Sequence, residues 1–313
     1  MSLTKIGNVK IETPLALAPL LGVNCTTFRL LCKKKGAGLI YSGMFDSDEI
    51  IRKNKCEKFL AEESPLAIQI VGNNKEKLEQ ATQIVDEYAN IIDINLSCPM
   101  KEILAKKSGA FFLKHPEQLK KIIKPVMNNT NKPITAKIRT GWDSQNINCV
   151  EVCKQLEDYG ISAVAIHGRT TKQRYSGKAD WEIIKQVKEK TNLTIIGNGD
   201  ITKPGQAKYY LERNYCDIVM IGRGAMGNPD IFRRCKHLLE TGTNTLELTE
   251  QEKKLELIDF LKLYEQTEDK MRIGEIKDHI NWFLKSNRNK INILNKIKNM
   301  IEIEQIIDVI ANN

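Results

Sequence analysis

The sequence is marked first by what it lacks. No CxxC pair occurs, and none of the eight cysteines stands near a histidine at zinc-ligand spacing. A disulfide framework and a zinc site are both disfavoured, so reduced thiols, no metal and a cytoplasmic location are expected. No apolar run approaches the roughly 18 residues that a membrane span needs. Residues 1–10 hold no apolar core ending in small residues, so a secretory leader is not expected either. Aromatic residues make up only 6% of the 313 positions. Trp142 and Trp181 are read as packing residues rather than as platforms for stacked bases. What is present is a 41% hydrophobic fraction, enough for a sizeable core, and 48 basic against 39 acidic residues, a net charge of +9. That excess hints at a polyanionic partner such as nucleic acid. The length allows one large domain and a small one, or two of middle size.

Eight short apolar runs of strand type fall at residues 15–20, 38–44, 66–71, 91–96, 134–138, 163–166, 193–196 and 218–221. Most are nearly continuous, as expected of parallel strands covered on both faces. Helical spacing marks 26–35, 75–89, 115–126, 150–159, 181–190 and 205–213 between them. Alternating strands and helices mean βαβ units, and eight in about 240 residues match a (β/α)8 TIM barrel. A doubly wound sheet is the alternative, but eight strands is many for one. After Leu239 a polar stretch, Thr241-Gly-Thr-Asn-Thr245, reads as a linker. Helices are then expected at 250–266, 273–285 and 290–310, with Leu294, Ile297 and Ile301 on one face. The expected division is a barrel over 1–240 and a small helical bundle over 241–313. The bundle carries two more acidic than basic residues, so the barrel portion holds about +11. Within the bundle, Lys285, Arg288, Lys290, Lys296 and Lys298 form a basic stretch with no acidic residue between them.

In such barrels the chemistry sits at the C-terminal ends of the strands. That rule selects Pro19 and Leu20, Ser42 to Met44, Gln69, Asn95 with Ser97 and Cys98, Lys137 and Arg139, His167 and Arg169, Asn198 to Asp200, and Gly222 to Gly224. Polar residues at nearly every strand end point to a large polar ligand. Gly199 and Gly222-Arg-Gly224 suit a phosphate after strands seven and eight, where glycine lets backbone N–H groups approach and Arg223 adds charge. Gly222-Arg-Gly224-Ala-Met-Gly227 also spells GxGxxG. It follows the last strand rather than the first, so a dinucleotide fold is rejected. Cys98 is the candidate for chemistry, as nucleophile or general acid. The other seven cysteines are read as inert thiols, and Tyr175 as a loop residue able to touch substrate.

These residues resemble the tRNA-dihydrouridine synthases. The resemblance is carried by Leu17-Ala-Pro19-Leu20 with Phe28-Arg29, and by Ile92-Asp-Ile-Asn95-Leu-Ser-Cys98-Pro99. The most specific string runs His167-Gly-Arg169-Thr-x-x-Gln173-x-Tyr175-x-Gly177-x-Ala179-Asp180-Trp181. Ile196-Gly-Asn198-Gly-Asp200, Gly222-Arg-Gly224-Ala-x-Gly-Asn-Pro229 and His279-x-x-Trp282-Phe283-x-Lys285 complete it. After Cys98 the chain departs from the family's Lys-x-x-Lys-x-Gly-x-Gly loop; Lys101 and Lys106 lie one position from the usual lysines.

The resemblance implies a TIM barrel that binds FMN in its mouth and is reduced by NADPH or NADH. It implies that Pro19, Leu20, Gln69, Lys137 and His167 contact FMN, and that Asn198, Gly199, Asp200, Gly222 and Arg223 hold its phosphate end. It implies hydride transfer from flavin N5 to C6 of a uridine in tRNA, with Cys98 giving a proton to C5. Asn95, Arg139, Arg169, Tyr175, Lys285 and Arg288 would meet the target base or the tRNA. The expected protein is a cytoplasmic monomer. The rival within flavin barrels is a dihydroorotate dehydrogenase, which has no place for the 167–181 string or the C-terminal helices. A non-catalytic tRNA-binding barrel would predict loss of Cys98 or Lys137, and both are present.

Overall fold

Apolar runs at odd and even positions alike demand a strand buried on both faces, and the chain meets that demand by closing a barrel. The computed structural model describes residues 4–54, 56–57, 59–268 and 271–313; residues 1–3, which open the stretch read for a leader, lie outside them. The strands are β1 (Thr4–Ile6), β2 (Val9–Ile11), β3 (Leu15–Leu17), β4 (Leu39–Asp46), β5 (Leu66–Val71), β6 (Ile91–Asn95), β7 (Ile134–Arg139), β8 (Ala163–His167), β9 (Thr194–Asn198) and β10 (Ile218–Ile221). Strands β3 to β10 form a closed, all-parallel barrel in which β10 pairs with β3. All eight expected runs are barrel strands, with ends shifted by a few residues.

Alternation sorts the side chains. Leu15, Leu17, Ile40, Ile68, Ile92, Ile94, Ile138, Val164, Ile166, Val219 and Ile221 face outward into the core shared with the helices. Ala16, Leu39, Tyr41, Ala67, Ile91, Ala163, Ala165, Ile196, Ile218 and Met220 form a second core inside the barrel. Ile6 and Ile11 of the β1–β2 hairpin belong to that inner core and are fully buried. The hairpin thus plugs the end of the barrel where the strands begin; each buried isoleucine contributes roughly 1.5–3 kcal/mol. It was not expected from the sequence, although Gly7-Asn8 between Thr4-Lys-Ile6 and Val9-Lys-Ile11 is a hairpin signal. Up each strand the inward residues change character: Ala67 gives way to Gln69, Ile91 to Asp93 and Asn95, Ala165 to His167, and Ile196 to Asn198.

The helices outside the barrel are α1 (Thr26–Lys34), α2 (Ser47–Lys53), α3 (Lys75–Asp86), α4 (Lys101–Ala105), α5 (Phe111–Lys114), α6 (Leu119–Met127), α7 (Cys149–Asp158), α8 (Trp181–Lys190), α9 (Pro204–Glu212) and α10 (Ile231–Thr241). Local signals start several of them. Asn74 caps α3 through the Lys77 N–H, and Asp180 caps α8 through those of Glu182 and Ile183. Pro204 opens α9 at the first helical position. Helix α10 begins only at Ile231, well beyond Gly227, so GxGxxG does not open a helix.

Residues 242–249 carry the chain to α11 (Glu250–Thr267), whose start is fixed by a capping box between Thr249 and Glu252. Then follow α12 (Ile273–Phe283), α13 (Lys290–Ile297) and α14 (Ile303–Ala311). The single helix expected over 290–310 is therefore two. The buried positions Ile293 and Ile297 are followed by Ile303, Ile306 and Ile310, and the step from 297 to 303 breaks the helical period. Ile301, expected on the buried face, falls in the break and is 63% exposed. No helix among the described residues is long and apolar enough to cross a membrane.

These helices rest on α1. Thr27 meets Thr267 and Glu268 through hydrogen bonds of 2.7 and 2.8 Å. The His279 ring lies between Phe28 and Phe260, and its Nε2 donates to the Val23 carbonyl at 3.1 Å. Burial pushes His279 down to about 4, so the ring is neutral. Cys25, Glu275 and His279 converge within 4.8 Å at this seam. All three already have partners: Glu275 accepts from the Tyr264 hydroxyl, His279 serves Val23, and the Cys25 sulfur lies 3.7 Å from His279 Nε2. Arg29, fully buried and ion-paired with Glu57 and Glu63, anchors the loop after β3 through the Asn24 carbonyl.

Gly227 touches α12 from the barrel side. Its φ is +64°, and a Cβ there would lie 2.2 Å from the Trp282 carbonyl carbon. Gly227→Ala should cost about 1–3 kcal/mol in a denaturant titration, combining left-handed backbone strain with the clash. An unchanged midpoint would show that this seam is not tight.

Candidate active site

Asn95, the last residue of β6, turns inward and takes two backbone donors. Its Oδ1 accepts from the N–H groups of Ser97 at 3.0 Å and Cys98 at 2.9 Å. The turn brings Cys98, half-buried, to the wall of a cavity of about 1100 Å3. Gly109 (φ +62°) closes behind it, since a Cβ there would meet the Cys98 carbonyl at 2.9 Å. Burial raises the Cys98 thiol above its ordinary value, against the Met100 N–H and Arg139, which work the other way. Cys98 is therefore a thiol, not a thiolate, at neutral pH. A protonated thiol suits proton donation better than nucleophilic attack.

Beneath Cys98 runs a buried polar chain. The Thr135 hydroxyl and Gln69 Nε2 donate to the two Asp93 oxygens at 2.6 Å each. Asn95 Nδ2 then donates to Gln69 Oε1 at 2.7 Å. Burial pushes the Asp93 carboxyl up to about 6, although these donors and Lys137 favour its charge. Lys137 is pushed the other way, down to about 8, first by burial and then by Arg139. Among the described residues its ammonium reaches only the Asn198 amide oxygen, at 3.5 Å. His167 is held well below its ordinary value by burial and by Lys137, Arg139, Arg169 and Arg223, so its ring is neutral.

The opposite rim is built from β8 and β9. Arg139 ties it to the cysteine loop, donating to the carbonyls of Ser97, Thr170 and Arg174 at 2.9–3.0 Å. Tyr175, 58% exposed, has the Arg223 guanidinium 4.7 Å and that of Arg139 5.9 Å from its ring centre. Gly199 (φ +138°) packs so closely on Ala179 that a Cβ would come within 2.4 Å. Its carbonyl accepts from Trp181 Nε1 at 3.0 Å, which confirms Trp181 as a packing residue with a positioning task. Burial works against the Asp200 charge, but the Ala179 N–H and Arg169 hold its carboxyl below the usual carboxylate range.

The cavity brings together Pro19, Leu20, Gln69, Asn95, Cys98, Lys137, Arg139, His167, Tyr175, Asn198, Gly199, Asp200, Gly222, Arg223 and Lys285. Two expected site residues are placed elsewhere. Arg169 is 2% exposed, and its guanidinium is engaged by Asp200 and by the carbonyls of Ser176 and Gly177, so it braces the rim. Arg288 is exposed on the turn before α13 and does not line the cavity. Sequence reasoning missed Asp93, although a charge inside the apolar run Ile91-Ile-Asp-Ile is itself a signal. It also missed Arg174 and Asp278 on the wall, and the approach of Trp282 from α12.

A closed parallel barrel with buried cations, a neutral imidazole and amides ringing one large cavity has the form of a flavin-dependent oxidoreductase. Comparison with known proteins makes this specific: residues 16–312 match the family described as Dihydrouridine synthase (Dus), and the chain belongs to that family. It is 38% identical over 287 residues to tRNA-dihydrouridine synthase B of Vibrio vulnificus (strain CMCP6), covering 90% of this chain and 89% of that protein. Among solved structures, an old yellow enzyme homologue from Zymomonas mobilis aligns over 80% of this chain and 94% of its own, at 12% identity and a TM-score of 0.53. Histamine dehydrogenase from Rhizobium sp. 4-9 aligns over 76% of this chain at 9% identity and a TM-score of 0.60. This chain spans about half the length of that enzyme, 48%. Both likenesses concern the fold alone.

Alkylation by iodoacetamide, followed by peptide mass spectrometry, tests the state of Cys98. The rate should be low at pH 7 and climb past pH 9, the ordinary thiol value. A plateau already reached at pH 6–7 would mean a thiolate and remove its candidacy as an acid.

Proposed function

We propose that the protein is a tRNA-dihydrouridine synthase that uses FMN and NADPH, or NADH, to reduce the C5–C6 bond of a uridine in tRNA. One observation carries the reading: the protonated thiol of Cys98 and the poorly partnered ammonium of Lys137 open into the same cavity. The residues suit FMN. A cavity of about 1100 Å3 exceeds the roughly 300–1,000 Å3 of a pocket for one small ligand. Gly199 and Gly222 line the cavity at the β9 and β10 ends, where a phosphate would sit, with Arg223 beside them. Pro19, Leu20, Gln69, Lys137 and His167 would hold the ring, and Asn198, Gly199, Asp200, Gly222 and Arg223 the phosphate end.

Bound there, FMN would take a hydride from the nicotinamide and supply it to C6 of the uracil. Cys98 delivers a proton to C5, its S–H bond breaking as C5–H forms, and the resulting thiolate recovers a proton from solvent. Asn95 holds the loop that aims it. Lys137 offers a cation to negative charge on the ring, and a neutral His167 donates a hydrogen bond without competing charge. Arg139 and Tyr175 form the rim that receives the base, which must leave its stack to enter. The division proposed is a barrel of residues 1–240 and a tRNA-binding bundle of 241–313. Lys285 stands at the cavity and Arg288 beyond it, on the path a tRNA backbone would take. The enzyme would work as a monomer in the cytoplasm. A dihydroorotate dehydrogenase would leave the C-terminal helices without a task.

Purified protein should bind FMN and show its absorbance. Cys98→Ala should keep FMN and NADPH oxidation yet lose dihydrouridine formation by about 10²–10⁴-fold, the usual range for general acid catalysis. Full activity of that variant would refute its role. Reversing charge at Lys285 and Arg288 should weaken tRNA binding and flatten its dependence on salt, with a slope smaller by about one for each phosphate no longer neutralised. An unchanged slope would take these residues out of the interface.

A further inference from the structure

We propose that Asp93 is a positioning residue: an acceptor-only anchor that sets the polarity of the Gln69 and Asn95 amides, and through them holds the backbone of Cys98. The proposal rests on the reading of Cys98 as proton donor and concerns how its loop is held.

A primary amide has one accepting end and one donating end, and turning it over exchanges them. Gln69 and Asn95 stand in series, so each is correct only if the other is. Both ends of the series are fixed by groups that cannot turn over. At the lower end, Asp93 only accepts when ionised, so Gln69 must present Nε2 to it, as it does at 2.6 Å. That leaves Gln69 Oε1 for Asn95, which must present Nδ2, as it does at 2.7 Å. Asn95 Oδ1 then faces the upper end, where the backbone N–H groups of Ser97 and Cys98 can only donate. The two ends demand the same orientation independently. Thr135 occupies the other Asp93 oxygen, so the carboxylate cannot swing away from Gln69 without losing a partner.

Every member of this series is more than 90% buried: Asp93 and Thr135 are at 0%, Gln69 at 1% and Asn95 at 6% exposure. Inside the series each reversal would set a donor against a donor or an acceptor against an acceptor, a mismatch that such burial makes costly. The acceptor is what the role requires, not the charge. Asparagine at position 93 can turn its oxygen to Gln69 and its nitrogen to the Thr135 hydroxyl, which is able to accept. Leucine, of similar size, can do neither.

The test compares Asp93→Leu with Asp93→Asn in the full-length, FMN-loaded protein. Hydrogen exchange of the Ser97 and Cys98 amides is read beside that of β7 and β8. Flavin reduction by NADPH and reduction of tRNA are measured as separate half-reactions. Asp93→Leu should exchange the Ser97 and Cys98 amides about tenfold faster, the effect of losing one buried hydrogen bond, with β7 and β8 unchanged. It should also slow tRNA reduction by about tenfold while flavin reduction stays within about threefold. Asp93→Asn should match the parent in all readings. Equal defects in both variants would assign the role to the Asp93 charge and overturn the proposal, as would normal exchange in Asp93→Leu. If Asp93→Leu does not fold, Gln69→Met breaks the series one step higher and must raise exchange at the same two amides; if it does not, the series does not hold the loop. Should the parent show no tRNA reduction, the proposed function fails while the exchange measurement still decides on Asp93.

Discussion

Closing eight parallel strands removes the choice of which way a side chain may face. Each strand has one inward face, and the lumen admits only what can be packed or hydrogen-bonded there. In this chain the inward positions are apolar where the strands begin and polar where they end. The Ile6 and Ile11 plug, with Leu39, Ile91 and Ile218, keeps the lower lumen dry. Above it, Gln69, Asp93, Asn95, Thr135, Lys137 and Asn198 must satisfy one another. The site is what remains when that lattice runs out of internal partners near the mouth.

Burial is costly for the charges gathered there. An ionised side chain removed from water without a partner costs several kcal/mol, and only a partner offsets it. Arg169 is satisfied by Asp200 and two carbonyls, and Arg139 by three carbonyls. Lys137 has only the distant Asn198 amide, and burial, with Arg139 beside it, pushes its ammonium down to about 8. His167 yields its charge altogether in the same field. Such a mouth is electrostatically incomplete and gains most from an anionic ligand. The surplus of about +11 in the barrel portion extends the same preference outward toward a polyanion.

Much of this was legible because parallel strands are apolar on both faces and stand out as runs. The strand-end rule then located most of the cavity wall, since β6, β7, β8 and β9 each end on the polar residue that faces inward. What escaped was set by tertiary contact. Three-residue strands such as β1 and β2 are too short for a periodic signal. The break between α13 and α14 depends on which isoleucines find a neighbour, so Ile301 looked buried and is not. Arg169 carries the same side-chain chemistry as Arg139, yet Asp200, distant in sequence, turns it into a brace. Asp278 and Trp282 reach the cavity only because His279 and Gly227 seat α12 against the barrel.

The central claim is that the cavity reduces a uracil within tRNA. Its most direct test is to incubate the FMN-loaded protein and NADPH with tRNA from cells lacking the gene, and to examine the digested nucleosides by mass spectrometry. The account predicts a new dihydrouridine, heavier than uridine by two hydrogens and confined to defined positions. A protein that binds flavin and oxidises NADPH but leaves every uridine unchanged would contradict it.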